Sequence, residues 1–428
     1  MMSWTIWMAV IVVILTIAAL IKRYETRLVL IASGLVMALL SGAPMAAFDA
    51  FATNMTRGSM IIAICSAMGF AGVISVTRCD VHLVGLLVKP LGKIGFWLLP
   101  ACMLVASCVA VAIPSAAGCA AALGPTMIPL MVRAGFHPAI AGAAIIGSIS
   151  PSTLSPGSSH NVFIAKLADM EVMDLIVQFA PNILTLCALN IIMVTLMIFV
   201  FKDYKKPEEG HEVMMSVEAD ARGQLPENPN VLMAIAPILP VVLLVLGATI
   251  VPAMKMSVAA AMVLGAIYAV LVTRSNPETV CREFFTGMGK GYGNILGIII
   301  AAGVFAGGLK AAGVIDALIE YLTHSNDLAR YAANFGPFVM GVLTGSGDAA
   351  GHAFNQSVTP YAEQFGLSIP SLGMVASLSG ALGRMCSPLA GATIVVAGMT
   401  RLSPMDIVKR MAPPMLINLC LLGFIFDL

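Results

Sequence analysis

The sequence predicts an all-α polytopic membrane protein, arranged as an inverted repeat with two re-entrant hairpins and two broken helices. Three observations carry that prediction. First, 59% of the 428 residues are hydrophobic and 11% charged, with a mean hydropathy of +0.96, whereas a water-soluble globule carries about 25% charged residues. Second, the apolar runs have helical length, about 20 residues, rather than the alternating segments of about 10 residues that barrel strands need. Third, breaks rich in glycine, proline and serine interrupt some runs, above all Gly345-Ser346-Gly347-Asp348-Ala349-Ala350-Gly351. Unpaired backbone groups are costly in hydrocarbon, so a break at membrane depth must be buried in protein or line a wet cavity.

Trp4–Ile21 lacks a basic leader, is longer than a signal-peptide core and is followed by Lys22 and Arg23, so a retained span is expected. Spans follow at residues 28–48 and 59–77. Residues 78–95 mix charges with an apolar stripe (Val81, Leu83, Leu86, Leu87, Leu91), the pattern of a helix lying in the interface. Residues 96–113 are apolar until Pro114-Ser115-Ala116-Ala117-Gly118 interrupts them, and apolar sequence then resumes to 132. Proline removes a donor and clashes with the preceding turn, so a hairpin over about 96–132 is expected. A broken helix over about 138–168 comes next, because residues 138–149 run into a stretch dominated by Ser and Thr up to His160-Asn161. Residues 174–201 close the first half, 1–201, with one more span.

Residues 202–230, rich in Glu, Lys and Pro, read as a cytoplasmic linker. The second half, 231–428, supplies spans at 231–250, 257–272 and 291–308 and a mixed stretch at 310–331. A hairpin at about 334–365, a broken helix at about 370–400 and a last span at 414–426 complete it. Motifs recur between the halves at a nearly constant separation: Phe70-Ala71-Gly72 with Phe305-Ala306-Gly307, Ala116-Ala117-Gly118 with Ala349-Ala350-Gly351, and Ser155-Pro156 with Ser387-Pro388.

Lys and Arg concentrate in cytoplasmic loops. With both termini periplasmic and each hairpin counted as no crossing, most of the 23 Lys and Arg fall on the cytoplasmic side. The first half then ends in the cytoplasm and the second starts from the opposite side, so the repeat is inverted. Inverted repeats whose discontinuous helices meet near the midplane are typical of secondary transporters. The expected location is a bacterial inner membrane.

Breaks that meet at mid-membrane aim helix N-termini at one cavity: the returning arms after Gly118 and Gly351, and the half-helices after Gly157 and Pro388. Each terminus carries about half a positive charge and unpaired N–H donors, which suits an anion. Ser115, Ser158 or Ser159, and Asp348 stand at capping positions. Ser152, Thr153, Ser155, Asn161, Ser346, Gly347, Asn355 and Ser387 offer hydrogen bonds to a carboxylate. Capping or packing is the competing role for each of these taken singly.

A mid-membrane arginine costs about 2.5 to 3.5 kcal/mol on insertion scales, so such a residue pairs or serves function. Arg384 can hold one end of a diacid bidentately or pair with Asp348, and both readings stand. Asp348, His160 and His352 are the candidates for coupling a cation, either a proton or Na⁺. Gly345-Ser346-Gly347-Asp348 also fits the Gly-x-Gly-Asp signature of intramembrane aspartyl proteases. That chemistry needs two carboxylates sharing a proton, and the other aspartates fall at span ends or in polar segments. The nine cysteines show no metal-ligand or disulfide spacing, and the net charge of +1 with scattered basic residues argues against nucleic acid. No catalytic residue, metal or cofactor is expected.

Three groups of motifs carry a family resemblance. They are Gly345-Ser346-Gly347-Asp348-Ala349-Ala350 with Phe354-Asn355 and Val358-Thr359-Pro360; Ser379-Gly380-Ala381-Leu382-Gly383-Arg384 with Ser387-Pro388; and Ser150-Pro151-Ser152-Thr153 with Ser158-Ser159-His160-Asn161. With them the chain resembles the anaerobic four-carbon dicarboxylate carriers of the DcuC type over nearly its whole length. The resemblance implies the ion-transporter superfamily and an elevator-type, homodimeric carrier whose hairpins and broken helices carry substrate past a scaffold. It also implies succinate, fumarate or malate as substrate, moved by efflux, exchange or cation-coupled transport. Related carriers move other organic anions, which is the alternative reading; a channel would differ in showing uncoupled, unsaturable flux.

Overall fold

The computed structural model describes residues 4–22, 24–56, 58–88, 95–112, 116–205, 228–317 and 326–426. Among these residues the architecture is helical, with one isolated bridge between Phe136 and Tyr204. Most of the proposed linker, 206–227, and Ser115 lie outside the described residues.

The first half begins with α1 (Trp4–Ile21) and α2 (Thr26–Leu40), the latter capped by the Glu25 carboxylate, which accepts from the Leu28 N–H at 2.7 Å. The expected single span at 28–48 is two helices. Ser41-Gly42-Ala43 ends α2, Gly42 adopts a φ of 72°, and Pro44 opens α3 (Pro44–Met55) at a position where its missing N–H costs nothing. α4 (Gly58–Thr77) bends by 74° into α5 (Cys79–Val88), the helix expected to lie in the interface.

α6 (Leu98–Ala112) and α7 (Ala116–Arg133) are the arms of the first hairpin pattern. α8 (Pro138–Gly147), a 3₁₀ turn (Ser150–Leu154) and α9 (Ser159–Leu167) make the first broken helix, and α10 (Val172–Phe201) ends the half. Gly118 lies inside α7, not before it.

In the second half the expected span at 231–250 is split at Pro237 and Pro240 into α11 (Val231–Ile235) and α12 (Leu239–Thr249), and α13 (Val258–Thr273) follows. The expected span at 291–308 is the end of a much longer helix. α14 (Pro277–Lys290) runs through a π-helical turn (Gly291–Leu296) into α15 (Gly297–Ala311), 35 residues in all. Glu278, Arg282, Glu283 and Lys290 hid the α14 portion, because charges mark it as polar although it is helical.

α16 (Asn326–Thr344) and α17 (Gly347–Ser357) form the second hairpin pattern, extended by a 3₁₀ turn (Thr359–Phe365). The returning arm therefore starts at Gly347, before Gly351, where the chain leaves Gly345 with a φ of 72°. α18 (Ile369–Met385) and α19 (Gly391–Thr400) form the second broken helix. Arg384 belongs to the last turn of α18 rather than to the break, because only Pro388 enforces the interruption. α20 (Pro404–Ile425) starts well before the expected 414 and continues through Pro413 and Pro414.

One large buried core joins α6–α10 to α16–α20, from Leu98 and Met103 to Leu382, Met411 and Leu422. Three smaller cores hold the remainder, one of them formed by Ala38, Ala47 and Val304 alone. Ile64, Phe70, Leu244, Met262 and Leu296 tie α4 to α12, α13 and the π turn, while Leu30, Met37, Ala301 and Phe305 tie α2 to α15. Backbones approach closely where glycines leave room. A Cβ on Gly383 would meet the Phe338 carbonyl at 2.1 Å, and one on Gly347 the Gly380 carbonyl at 2.3 Å, so α16 and α17 lie directly on α18.

Large apolar side chains on the outside, such as Trp4, Ile14, Leu15, Phe199, Leu271 and Phe424, stay exposed. Four helices among the described residues are long and apolar enough to cross a membrane, six if each bent pair is one span. This apolar exterior and these spans are those of a membrane protein.

Candidate functional site

The breaks converge on a cavity of about 360 Å³. The start of α7 contributes Ala116 and Ala117, the first broken helix Ser152, Thr153 and Gly157 to His160, and the second hairpin Gly345, Ser346, Asp348 and His352. α18 adds Ser377, Ala381 and Arg384, and the start of α19 adds Gly391 and Ala392.

Asp348 stands in the first turn of α17, behind Ser346, whose hydroxyl accepts from the Ala349 N–H at 3.3 Å. Its side chain is 51% exposed, whereas Arg384 is 16% exposed. Arg384 Nη1 donates to both carboxylate oxygens at 3.4 Å, and His160 Nε2 donates to Oδ1 at 3.3 Å. The His160 ring stacks on His352, with centroids 4.1 Å apart and planes 12° apart. His352 Nε2 in turn lies 3.0 Å from Ser159 Oγ. The stack is possible because α17 carries Gly351 beneath it: a Cβ there would meet His160 Cε1 at 2.9 Å.

The helix starts are differently capped. Ser158 precedes α9 and Ala390 precedes α19, and neither makes a side-chain capping bond. The Ser158 hydroxyl therefore lines the cavity without satisfying its own helix, and the first N–H groups of both helices are available to an anion.

The remaining expected residues divide. Ser152, Thr153, Ser158 and Ser346 line the cavity. Asn161 lies behind it and donates to the carbonyls of Thr153 and Ser155 at 2.5 and 3.2 Å, fixing the shape of the first break. Asn355 donates to Gly373 O and Ser377 Oγ and accepts from Thr359 Oγ1, tying α17 to α18. Ser387 accepts from the Leu389 N–H at 3.2 Å, Ser155 is buried against a separate small void, and Gly347 serves as the contact with Gly380.

Met68, Asn294 and Ser377 line the cavity without having been expected there. Asn294 had a signal, a Gly-Tyr-Gly-Asn interruption in an apolar run, which forms the π turn. Asp348 is the lone carboxylate in the lining, so the paired carboxylates of an aspartyl protease are absent among the described residues. Those residues also hold no cluster of three or more His, Cys, Asp or Glu able to bind a metal.

The family model of DcuC, described as C4-dicarboxylate anaerobic carrier, matches residues 5–426. An uncharacterised transporter of Haemophilus influenzae is 44% identical over 276 residues, 63% of this chain and 98% of that one. The anaerobic C4-dicarboxylate transporter DcuC of Escherichia coli K12 is 28% identical over 376 residues, 85% of this chain and 78% of that one. Among solved structures, MtrF of Neisseria gonorrhoeae, described with a class of antimetabolite efflux pumps, superposes with a TM-score of 0.59 at 15% identity. The match covers 92% of this chain and 84% of MtrF. The YdaH transporter of Alcanivorax borkumensis gives 0.56 at 15% identity, over 89% and 86% of the two chains. These two likenesses concern the fold.

Proposed function

Because the chain belongs to the DcuC family of C4-dicarboxylate anaerobic carriers, a transporter family and not an enzyme family, we propose that it moves succinate, fumarate or malate across a bacterial inner membrane. The observation that carries this reading is Arg384 facing a polar cavity where the starts of α9 and α19 present uncapped N–H groups. A dicarboxylate has one charged group for the guanidinium and a second for the helix termini. Ser152, Thr153, Ser158 and Ser346 orient it between them.

The transport step is alternating access by an elevator. The large core, which contains the hairpin arms and broken helices, is the moving body; α1–α4 and α12–α15 are the scaffold, in an inverted repeat and a homodimer. Most buried residues of the hairpin arms and broken helices gather in the large core, while Val162 and Phe163 of α9 pack against the scaffold across the boundary. At the boundary, Gln356 of α17 donates to the Ile299 carbonyl of α15 at 2.5 Å and Lys255 lies 4.0 Å from Asp174 of α10, polar contacts that sliding can exchange.

The test is uptake of labelled succinate into proteoliposomes loaded with unlabelled diacid, competed with fumarate, malate, lactate and gluconate. Saturable uptake suppressed by the four-carbon diacids alone supports the proposal. Suppression by lactate or gluconate instead makes the protein a carrier of another organic anion on the same fold.

A further inference from the structure

We propose that Asp348 is the coupling-proton site, and that Arg384 links proton to substrate by changing partner: the diacid takes the guanidinium, and Asp348 takes a proton in its place. This rests on the reading of the cavity as a dicarboxylate site.

Among the described residues Asp348 is contacted by Arg384 Nη1 and His160 Nε2, and the Arg384 side chain is largely enclosed. An incoming carboxylate must therefore share or capture a guanidinium already in use. The bonds to be exchanged are long, 3.4 Å to each oxygen, so capture by a closer-fitting carboxylate is favourable. Asp348 itself is half exposed toward the cavity, where water delivers a proton.

The histidines supply hydrogen bonds. His160 and His352 are stacked face to face and buried, with both Nδ1 atoms unpartnered among the described residues. Placing a charge on either ring means burying an imidazolium against a parallel imidazole with its new N–H unsatisfied. Once Arg384 has turned to substrate, Asp348 faces a dianion without its guanidinium partner, and a proton on the carboxyl removes the repulsion between the two.

Among the described residues, the charged and titratable groups facing Asp348 and this stack are Arg384 on α18, and the two histidines on α9 and α17. α4 and the π turn face the cavity with Met68, Asn294 and Ile295. The groups that contact the carboxylate are N–H donors, from Arg384 and His160, whereas a hard metal cation needs a shell of oxygen acceptors. That distribution favours a proton over Na⁺. In balance, one proton from the water on the open side bonds to one Asp348 oxygen, no bond in the substrate breaks, and release returns the proton to the opposite side as Arg384 re-pairs.

The experiment is calorimetric titration of the detergent-purified full chain with succinate, in buffers of different ionisation enthalpy and over a pH series, with and without Na⁺. The expected result is one proton taken up per succinate bound, affinity falling about tenfold per pH unit on the alkaline side, and no dependence on Na⁺. Asp348→Asn is expected to bind more tightly with no proton uptake and a flat pH profile, and Asp348→Glu to restore uptake. Succinate binding by the unmutated protein without a proton, or binding that requires Na⁺, overturns the switch while keeping the dicarboxylate site. Absence of binding by any four-carbon diacid overturns the reading of the site and the switch with it.

Discussion

Arg384 Nη1 lies 3.4 Å from both carboxylate oxygens of Asp348, across the gap between the last turn of α18 and the first turn of α17. The two sequence readings of Arg384, structural partner and anion ligand, are thus compatible in one place. The residue closes an ion pair and at the same time faces the cavity into which the helix starts point.

Ser158 separates binding from capping. Its hydroxyl makes no bond to its own helix, so Ser158→Ala should change the melting temperature little, although loss of an ordinary N-cap bond costs about 1 kcal/mol. If the hydroxyl holds a substrate carboxylate, succinate affinity falls about tenfold or more, in line with hydrogen bonds to charged groups. Parallel thermal melts and binding titrations check this; a large drop in melting temperature with unchanged affinity contradicts it.

Gly383 and Gly351 should fail in different ways. At Gly383 a Cβ meets backbone, the Phe338 carbonyl at 2.1 Å, so Gly383→Ala must push α16 from α18 and is expected to cost about 1 to 3 kcal/mol of stability. At Gly351 it meets the His160 ring at 2.9 Å, a side chain able to turn. Gly351→Ala should melt closer to the unmutated protein yet transport poorly, because turning His160 removes its bond to Asp348. Equal loss of stability in both variants would count against this distinction.

Asp203 and Arg410 form a buried ion pair away from the cavity. Arg410 Nε and Nη2 donate to the two Asp203 oxygens at 2.6 and 2.9 Å, with side chains 12% and 4% exposed, joining the end of α10 to the start of α20. Arg410→Met strands a buried carboxylate and should destabilise by about 3 to 5 kcal/mol, while the double replacement Asp203→Leu/Arg410→Met should recover most of it. Thermal melts of the three variants decide the matter. Succinate affinity in the folded double variant should be unchanged.

The helix content and the breaks were legible in the sequence because hydrocarbon imposes long apolar runs and makes any interruption conspicuous. Gly345 and Pro388 marked their breaks, and the stretch from Ser150 to Ser159 marked another. Helix ends were less legible. Gly118 and Gly351 looked like break residues but lie within helices, and at Gly351 the missing Cβ leaves room for the His160 ring. α14 was missed because its charges outweigh its apolar face, and the start of α20 because Pro413 and Pro414 imitate a boundary.

For the site, the residue types were legible but their orientation was not. Ser152, Thr153, Ser158, Ser346, Asp348 and Arg384 reach the cavity, while Asn161, Asn355 and Ser387 are spent on backbone and neighbouring hydroxyls. Both classes are polar residues beside a break, and one turn of helix decides which face they occupy. The His160–His352 stack depends on a contact between the two halves, which spacing along the chain does not reveal.

The measurement that tests the central claim most directly is counterflow of labelled succinate into succinate-loaded proteoliposomes, comparing the unmutated protein with Arg384→Ala of verified fold. The account predicts saturable counterflow in the first and an apparent affinity weakened about 10- to 100-fold, or uptake lost, in the second. Undiminished affinity and rate in a folded Arg384→Ala protein would contradict the assignment of the anion site.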